Sequence, residues 1–245
     1  MGAIKIGIGG WTFEPWRGLF YPPGLKHADE LGYAAERLTS IEINGTFYRT
    51  QSPKSFRLWH DAVPATFVFA VKAHRAAAQR TEPDDARPAI ERFLASGLAE
   101  LGPKLGPIVW QLPAGRKFDP ERLPRFLDLL PPTLDGLPLR HVIEAVHPSF
   151  SQEAVRALLA ERGIARAVVE KPDVALDDTP TAAHVYLRLE RARDEEPLGY
   201  PGAALDVWAE RLKSFARQRD VFAYLISGAK HRNPAGAMAL IERVG

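Results

Sequence analysis

Glu42, Lys72, Glu144, Glu170 and Arg188 each stand at or just past the end of a short apolar run, and each run leads toward a segment of helical period. Asn44, His74, Gln111, His147 and Glu190 stand at or just past the same ends. These residue types make a recognisable set. A carboxylate can serve as general base, a histidine titrates near neutrality and can serve as its acid partner, and lysine or arginine can hold negative charge. The expected chemistry is acid–base catalysis on a small anionic or polyhydroxylated ligand. In this reading Glu42 or Glu144 is the base, His147 the acid, Lys72 and Arg188 the anion holders, and Asn44, Tyr48 and Gln111 the orienting groups. Both carboxylates could instead be clamps for the two cations.

Two further features add to the set. Trp11, Trp16, Phe20, Tyr21, Phe47 and Tyr48 fall in the first two loops, as a stacking wall for a sugar or as a lid packed for stability. The loop Ser227-Gly228-Ala229-Lys230 precedes a helix starting near Pro234. Small residues, a lysine and a helix amino terminus suit an anion, although an ordinary turn with a solvated lysine has the same composition.

The elements that must position these residues repeat eight times. Strand-like runs cover 4–9, 40–43, 67–71, 108–111, 141–144, 165–169, 184–189 and 221–226, and helical period returns between most of them, as in Ile90, Phe93, Leu94, Leu98 and Leu101. Ser52-Pro53, Asp119-Pro120 and Asn233-Pro234 read as capped helix starts. Residues 171–183 carry Pro172, Asp177, Asp178 and Pro180 and leave little room for a sixth helix. The expected fold is therefore α/β, a single TIM-type (β/α)8 barrel over 1–245 with an irregular sixth unit. Barrel enzymes place their sites at the carboxyl ends of the strands. Alternation within the strands points Tyr186, Arg188 and Glu190 inward, with Val68, Ala70 and Lys72, and opposes Glu42, Gln111 and Glu144 to the helix-facing aliphatics. Buried charges persist only when paired, so a structural ion network would give the same pattern.

Composition narrows the classes. A chain of 245 residues with 46% hydrophobic content can bury a full barrel core. No cysteine is present, which excludes disulfides, thiolate metal sites and a cysteine nucleophile. A net charge of +2 gives no global argument for nucleic acid. No apolar stretch approaches a membrane span and the start lacks a cationic leader, so a cytoplasmic protein without membrane association is expected. Gly7-Ile8-Gly9-Gly10 lacks the spacing of a dinucleotide fingerprint and suits close packing instead.

In combination the motifs resemble the YecE-like family, domain-of-unknown-function family 72. The resemblance runs through Gly10-Trp11, Trp16-Arg17-Gly18, Phe20-Tyr21-Pro22, Glu42-Ile43-Asn44, Thr46-Phe47-Tyr48-Arg49, Phe69-Ala70-Val71-Lys72-Ala73, Gln111-Leu112-Pro113, Glu144, His147-Pro148-Ser149-Phe150, and Tyr186 with Arg188. It implies a TIM barrel whose mouth is lined by Trp11, Glu42, Asn44, Tyr48, Lys72, Gln111, Glu144, His147 and Arg188, with no general activity attached. The chain departs from the family's usual residues at Ile8-Gly9, Val146, Glu170 and Ile226-Ser227, changes that remove donors from the mouth and suggest a subgroup with its own ligand.

Two other readings remain open at this level. Glu42, Glu144, Glu170, His74 and His147 are hard-oxygen and imidazole ligands that leave room for a divalent metal and phosphodiester cleavage, with nucleic acid as a partner not favoured. A non-catalytic module that binds a metabolite fits the same mouth. No cofactor is expected, and the sequence does not set an oligomeric state.

Overall fold

The computed structural model describes all 245 residues. Its framework is a ring of parallel strands: β1 (Ile4–Gly9), β2 (Ser40–Ile43), β3 (Val68–Lys72), β4 (Leu105–Gln111), β5 (His141–Glu144), β6, β7 (His184–Leu189) and β8 (Asp220–Leu225). The sixth is broken into Ala165–Arg166 and Val168–Glu170. Its first segment pairs with β5 and its second with β7, while β8 pairs with β1, so the ring closes through the single residue Ala167. Helices α1 (Glu30–Ala35), α2 (Pro53–Asp61), α3 (Pro83–Leu94), α4 (Arg122–Leu127), α5 (Glu153–Glu161), α6 (Gly202–Ala216) and α7 (Asn233–Val244) surround it. No helix is long and apolar enough to cross a membrane.

Strand alternation divides the core in two. Ile41, Ile43, Phe69, Trp110, Ile143, Leu187 and Leu189 face the helices and belong to the larger apolar cluster. Ala70, Val109, Val142, Ala165, Ala167, Val169, Tyr186, Phe222, Tyr224 and Ile226 make a separate cluster, the barrel interior. Within it the rings of Tyr186 and Tyr224 lie 5.1 Å apart at 34°, and the Tyr224 hydroxyl meets Ser40 Oγ at 2.6 Å. β1 and β2 approach too closely for any side chain at Gly7, where a Cβ would lie 1.7 Å from the Ser40 carbonyl oxygen. That is the physical content of the glycine-rich opening.

Between β6 and β7 no helix forms, in keeping with the irregular sixth unit expected there, and polar contacts do its work. Arg166 is ion-paired with Asp177, its backbone N–H donates to Thr181 Oγ1 at 2.9 Å, and Thr181 Oγ1 donates to the Ile164 carbonyl at 2.8 Å. Two of the three expected caps form: Ser52 Oγ accepts from Ser55 N at 3.2 Å, and Asp119 Oδ1 accepts from Glu121 N and Arg122 N at 2.9 and 3.0 Å. Asn233 does not cap. A 3-10 turn, Lys230–Arg232, runs directly into α7, so Asn233 is already helical and its amide instead donates to the Ser227 carbonyl at 3.3 Å.

Candidate functional site

The strand ends bring one cation and three carboxylates together. Arg188 on β7 is ion-paired with Glu144 on β5, lies 3.6 Å from Glu42 on β2, and has Glu190 3.4 Å from its Nε. Gln111 Nε2 donates to Glu144 Oε1 at 2.7 Å, and the Tyr186 hydroxyl donates to Glu42 Oε2. Glu42, Glu144 and Arg188 are all buried. Burial opposes ionisation of Glu144, but Arg188 and Gln111 outweigh it and hold its pKa below the ordinary range. Burial also disfavours the charge on Arg188, yet Glu144 and Glu42 overcome that and raise its pKa. Glu190 is raised by burial, with Arg188 opposing. Glu42 Oε1 accepts no hydrogen bond.

Above this network opens a cleft of about 650 Å³ formed by the loops after β1, β2 and β8. Trp11, Asn44, Tyr48 and Lys230 line it, with Lys72 and Arg188 also contributing. Its charged residues are Arg49, Lys72, Arg188 and Lys230, with no carboxylate among the lining residues. Lys72 is buried, has no carboxylate within ion-pair distance, and sets its ammonium 4.3 Å from the centre of the Phe47 ring. Its pKa is lowered by burial and then by Arg188. Lys230 rests on Phe13 and Trp16, 4.4 and 5.4 Å from the ring centres, and burial lowers its pKa. Ser227 has a left-handed φ of 66° at the cleft wall, a conformation that costs a non-glycine residue about 1–3 kcal/mol. Gly9 leaves room for Asn44: a Cβ there would come 2.8 Å from Asn44 Nδ2.

The expected residues thus fall into groups. Trp11, Asn44, Tyr48, Lys72, Arg188 and Lys230 line the cleft, whereas Glu42, Glu144 and Gln111 belong to the network that holds Arg188. His147 lies apart, capping the turn Pro148–Ser151: its Nδ1 accepts from Ser149 N at 3.2 Å. His74 does the same for Arg75–Ala78, accepting from Ala76 N at 3.2 Å. Glu170 faces the helices, where it accepts from the Tyr200 hydroxyl at 2.6 Å and from Trp208 Nε1 at 3.3 Å. Burial raises its pKa against those bonds. The convergence of Glu170, His74 and His147 with Glu42 and Glu144 is therefore not found, and no three His, Asp or Glu side chains are grouped to hold a metal ion.

Sequence reasoning left out Arg49, Gln51 and Asn233, all in the cleft wall. Arg49 was within reach, since it ends the Thr46–Arg49 motif one residue after Tyr48. Asn233 was not, because its place depends on the 3-10 turn before α7.

A family model described as a protein of unknown function, DUF72, matches residues 5–245. Among solved structures, a DUF72 family protein from Thermotoga maritima superposes with a TM-score of 0.77 at 22% identity, over 98% of this chain and 97% of that one. A DUF72 family protein from Enterococcus faecalis gives 0.73 at 14% identity, over 100% and 99% of the two chains. A methyltransferase from Methanosarcina mazei gives 0.53 at 10% identity, over 98% and 93%. No curated protein matches the chain. At these identities the structural likenesses carry the fold alone.

Proposed function

The chain belongs to the DUF72 family of proteins of unknown function, and from that premise and the geometry of the mouth we propose that it binds a small, hydroxyl-rich anion such as a sugar phosphate and acts on it by acid–base chemistry. One observation carries the binding part. Arg49, Lys72, Arg188 and Lys230 face one cleft without a carboxylate among its lining residues. The Lys72 side chain is largely removed from water with no carboxylate within ion-pair distance, so an anion in the cleft would complete it. Asn44, Gln51 and Tyr48 supply donors and acceptors suited to hydroxyls, and Trp11 and Trp59 supply apolar faces.

For the catalytic part, Glu42 is the better base of the two carboxylates. Glu144 is bound to Arg188 and Gln111 and held below the ordinary carboxylate range, which makes it a weak proton acceptor. Glu42 keeps one oxygen without a hydrogen bond, and Tyr186 holds the other. Lys72 and Arg188 would hold the charge that develops on the ligand.

The test has two stages. Inorganic phosphate, sulfate and sugar phosphates are added in a thermal-unfolding assay to the wild type, Lys72→Met and Lys230→Ala. Stabilisation of the wild type that weakens in both variants supports the cleft; no shift with any anion removes the reading. Turnover of phosphosugars, sugar acids and glycosides is then compared in the wild type, Glu42→Gln and Glu144→Gln. Equal residual turnover in both variants removes the assignment of the base.

A further inference from the structure

A second cavity, of about 270 Å³, lies outside the mouth and shares no residue with the cleft. Its floor is apolar: Leu112, Leu123, Phe126 and Phe150 are buried, and Phe118 stands against Phe150 with ring centres 6.0 Å apart at 70°. Its edge is cationic, carrying Arg80, Arg116, Lys117 and Arg122 against the single acid Asp119. Arg122 is accounted for by Glu82 at 2.8 Å and Asp119 at 3.5 Å. Arg80, Arg116 and Lys117 have no carboxylate partner.

Arg116 is anchored by two hydrogen bonds. Its Nη1 donates to the Arg80 carbonyl at 2.6 Å and its Nη2 to the Gln79 carbonyl at 2.8 Å. Carbonyl acceptors fix the position of a guanidinium without neutralising it. Burial and the nearby Arg122 both lower the Arg116 pKa, the mark of a cation held where its surroundings lack negative charge. The facing wall is fixed as well: Phe118 N donates to Ser149 Oγ at 2.7 Å, and Ser149 Oγ meets His147 Nδ1 at 2.9 Å. His147 therefore helps to build this second cavity.

From this combination we propose a second binding site, for a small amphipathic anion: one aromatic ring on the Phe118, Phe126 and Phe150 surface, with a phosphate or carboxylate reaching Arg116 and its flanking cations. Size sets the limit. Small-molecule sites usually start near ~300 Å³, so the cavity takes one ring and one anionic group rather than a nucleotide. The ring supplies burial and the anion supplies selectivity, because charge-assisted hydrogen bonds are the stronger kind.

Phenyl phosphate is the probe, titrated by calorimetry into the wild type, Arg116→Gln, the double variant Arg80→Ala/Lys117→Ala, and the cleft variant Lys72→Met. Benzyl alcohol and inorganic phosphate serve as half-ligands. The site predicts binding of phenyl phosphate to the wild type, roughly tenfold or more weaker in Arg116→Gln and in the double variant, and retained in Lys72→Met. The double variant changes only exposed side chains, so a loss there is not a folding defect. Each half-ligand alone should bind weakly. Absence of binding to the wild type overturns the proposal, as does wild-type affinity in both rim variants. Loss confined to Lys72→Met would assign the probe to the mouth, and benzyl alcohol binding as tightly as phenyl phosphate would show a greasy hollow without anion recognition; either result also overturns it.

Discussion

Arg188 and Glu144 are ion-paired beneath the mouth with both side chains almost wholly removed from water, 4% and 5% exposed. Around them Glu42 and Glu190 contribute further negative charge, at 3.6 and 3.4 Å from the guanidinium. One cation thus holds three carboxylates in the upper barrel.

Removing that cation should be far worse than removing the pair. Arg188→Ala strands the buried Glu42 and Glu144 and is expected to cost about 3–5 kcal/mol in urea unfolding, whereas Arg188→Met combined with Glu144→Met should cost much less. A loss below about 1 kcal/mol in Arg188→Ala would show that the carboxylates find other partners.

Lys72 should behave in the opposite sense. It is buried without a carboxylate partner, so Lys72→Met is expected to leave unfolding stability equal or higher. The same substitution should remove most of the anion-induced stabilisation, which for a ligand at a hundredfold excess over its dissociation constant amounts to about 2.7 kcal/mol. Thermal unfolding with and without phosphate separates the two effects, and retained anion stabilisation would move the site away from Lys72.

Tyr186 is the donor to Glu42 Oε2, and its own pKa is driven well up by burial and by Glu42. Tyr186→Phe keeps the ring stacked on Tyr224 but deprives a fully buried carboxylate of its hydrogen bond. The expected cost is about 1–3 kcal/mol. Unchanged urea midpoints would show that Glu42 is satisfied by Arg188 alone.

His184 should make stability depend on pH well above the carboxylate range. Burial pulls its pKa down to about 4, against the bond to the His141 carbonyl. A histidine with a folded pKa below its unfolded value of about 6.5 binds a proton more readily when unfolded, so stability rises with pH between these values. Its contribution is complete above about 6.5, declines as the pH falls toward about 4, and totals on the order of 3 kcal/mol. Unfolding measured at several pH values between them should show a clearly shallower slope for His184→Gln than for the wild type. Parallel slopes would remove the assignment. Glu144, with a lowered pKa, acts in a separate window, losing its contribution only as the pH falls below the ordinary carboxylate range.

Much of this was legible from alternation. Ala70 and Lys72, or Tyr186 and Arg188, share a face because successive strand side chains point oppositely, and the interior cluster contains the expected Ala70 and Tyr186. The same rule applied to β6 would have sent Glu170 outward, since Ala165, Ala167 and Val169 face in. The two histidines were harder to place. Following a strand end is equally compatible with facing the mouth and with capping the next turn, and only the backbone path after Ala73 and Val146 decides for capping. The cationic bias of the cleft was hidden for another reason: Glu42 and Glu144 are close to Lys72 in the barrel wall, yet they bond to Arg188 and leave the cleft lining without acids.

The sixth unit has a different consequence. Elsewhere a strand is covered by an apolar helix face, but after β6 the wall is clasped by Arg166 with Asp177 and by Arg211 with Asp178 at 3.3 Å. Electrolyte does not screen apolar burial and screens the enclosed Arg166–Asp177 pair little, whereas the solvent-facing Arg211–Asp178 pair is open to screening. Brine should therefore loosen the outer edge of this one stave of the cask before the others, so that amide exchange around Asp178 and Thr179 quickens with ionic strength while that of β1 and β2 stays still.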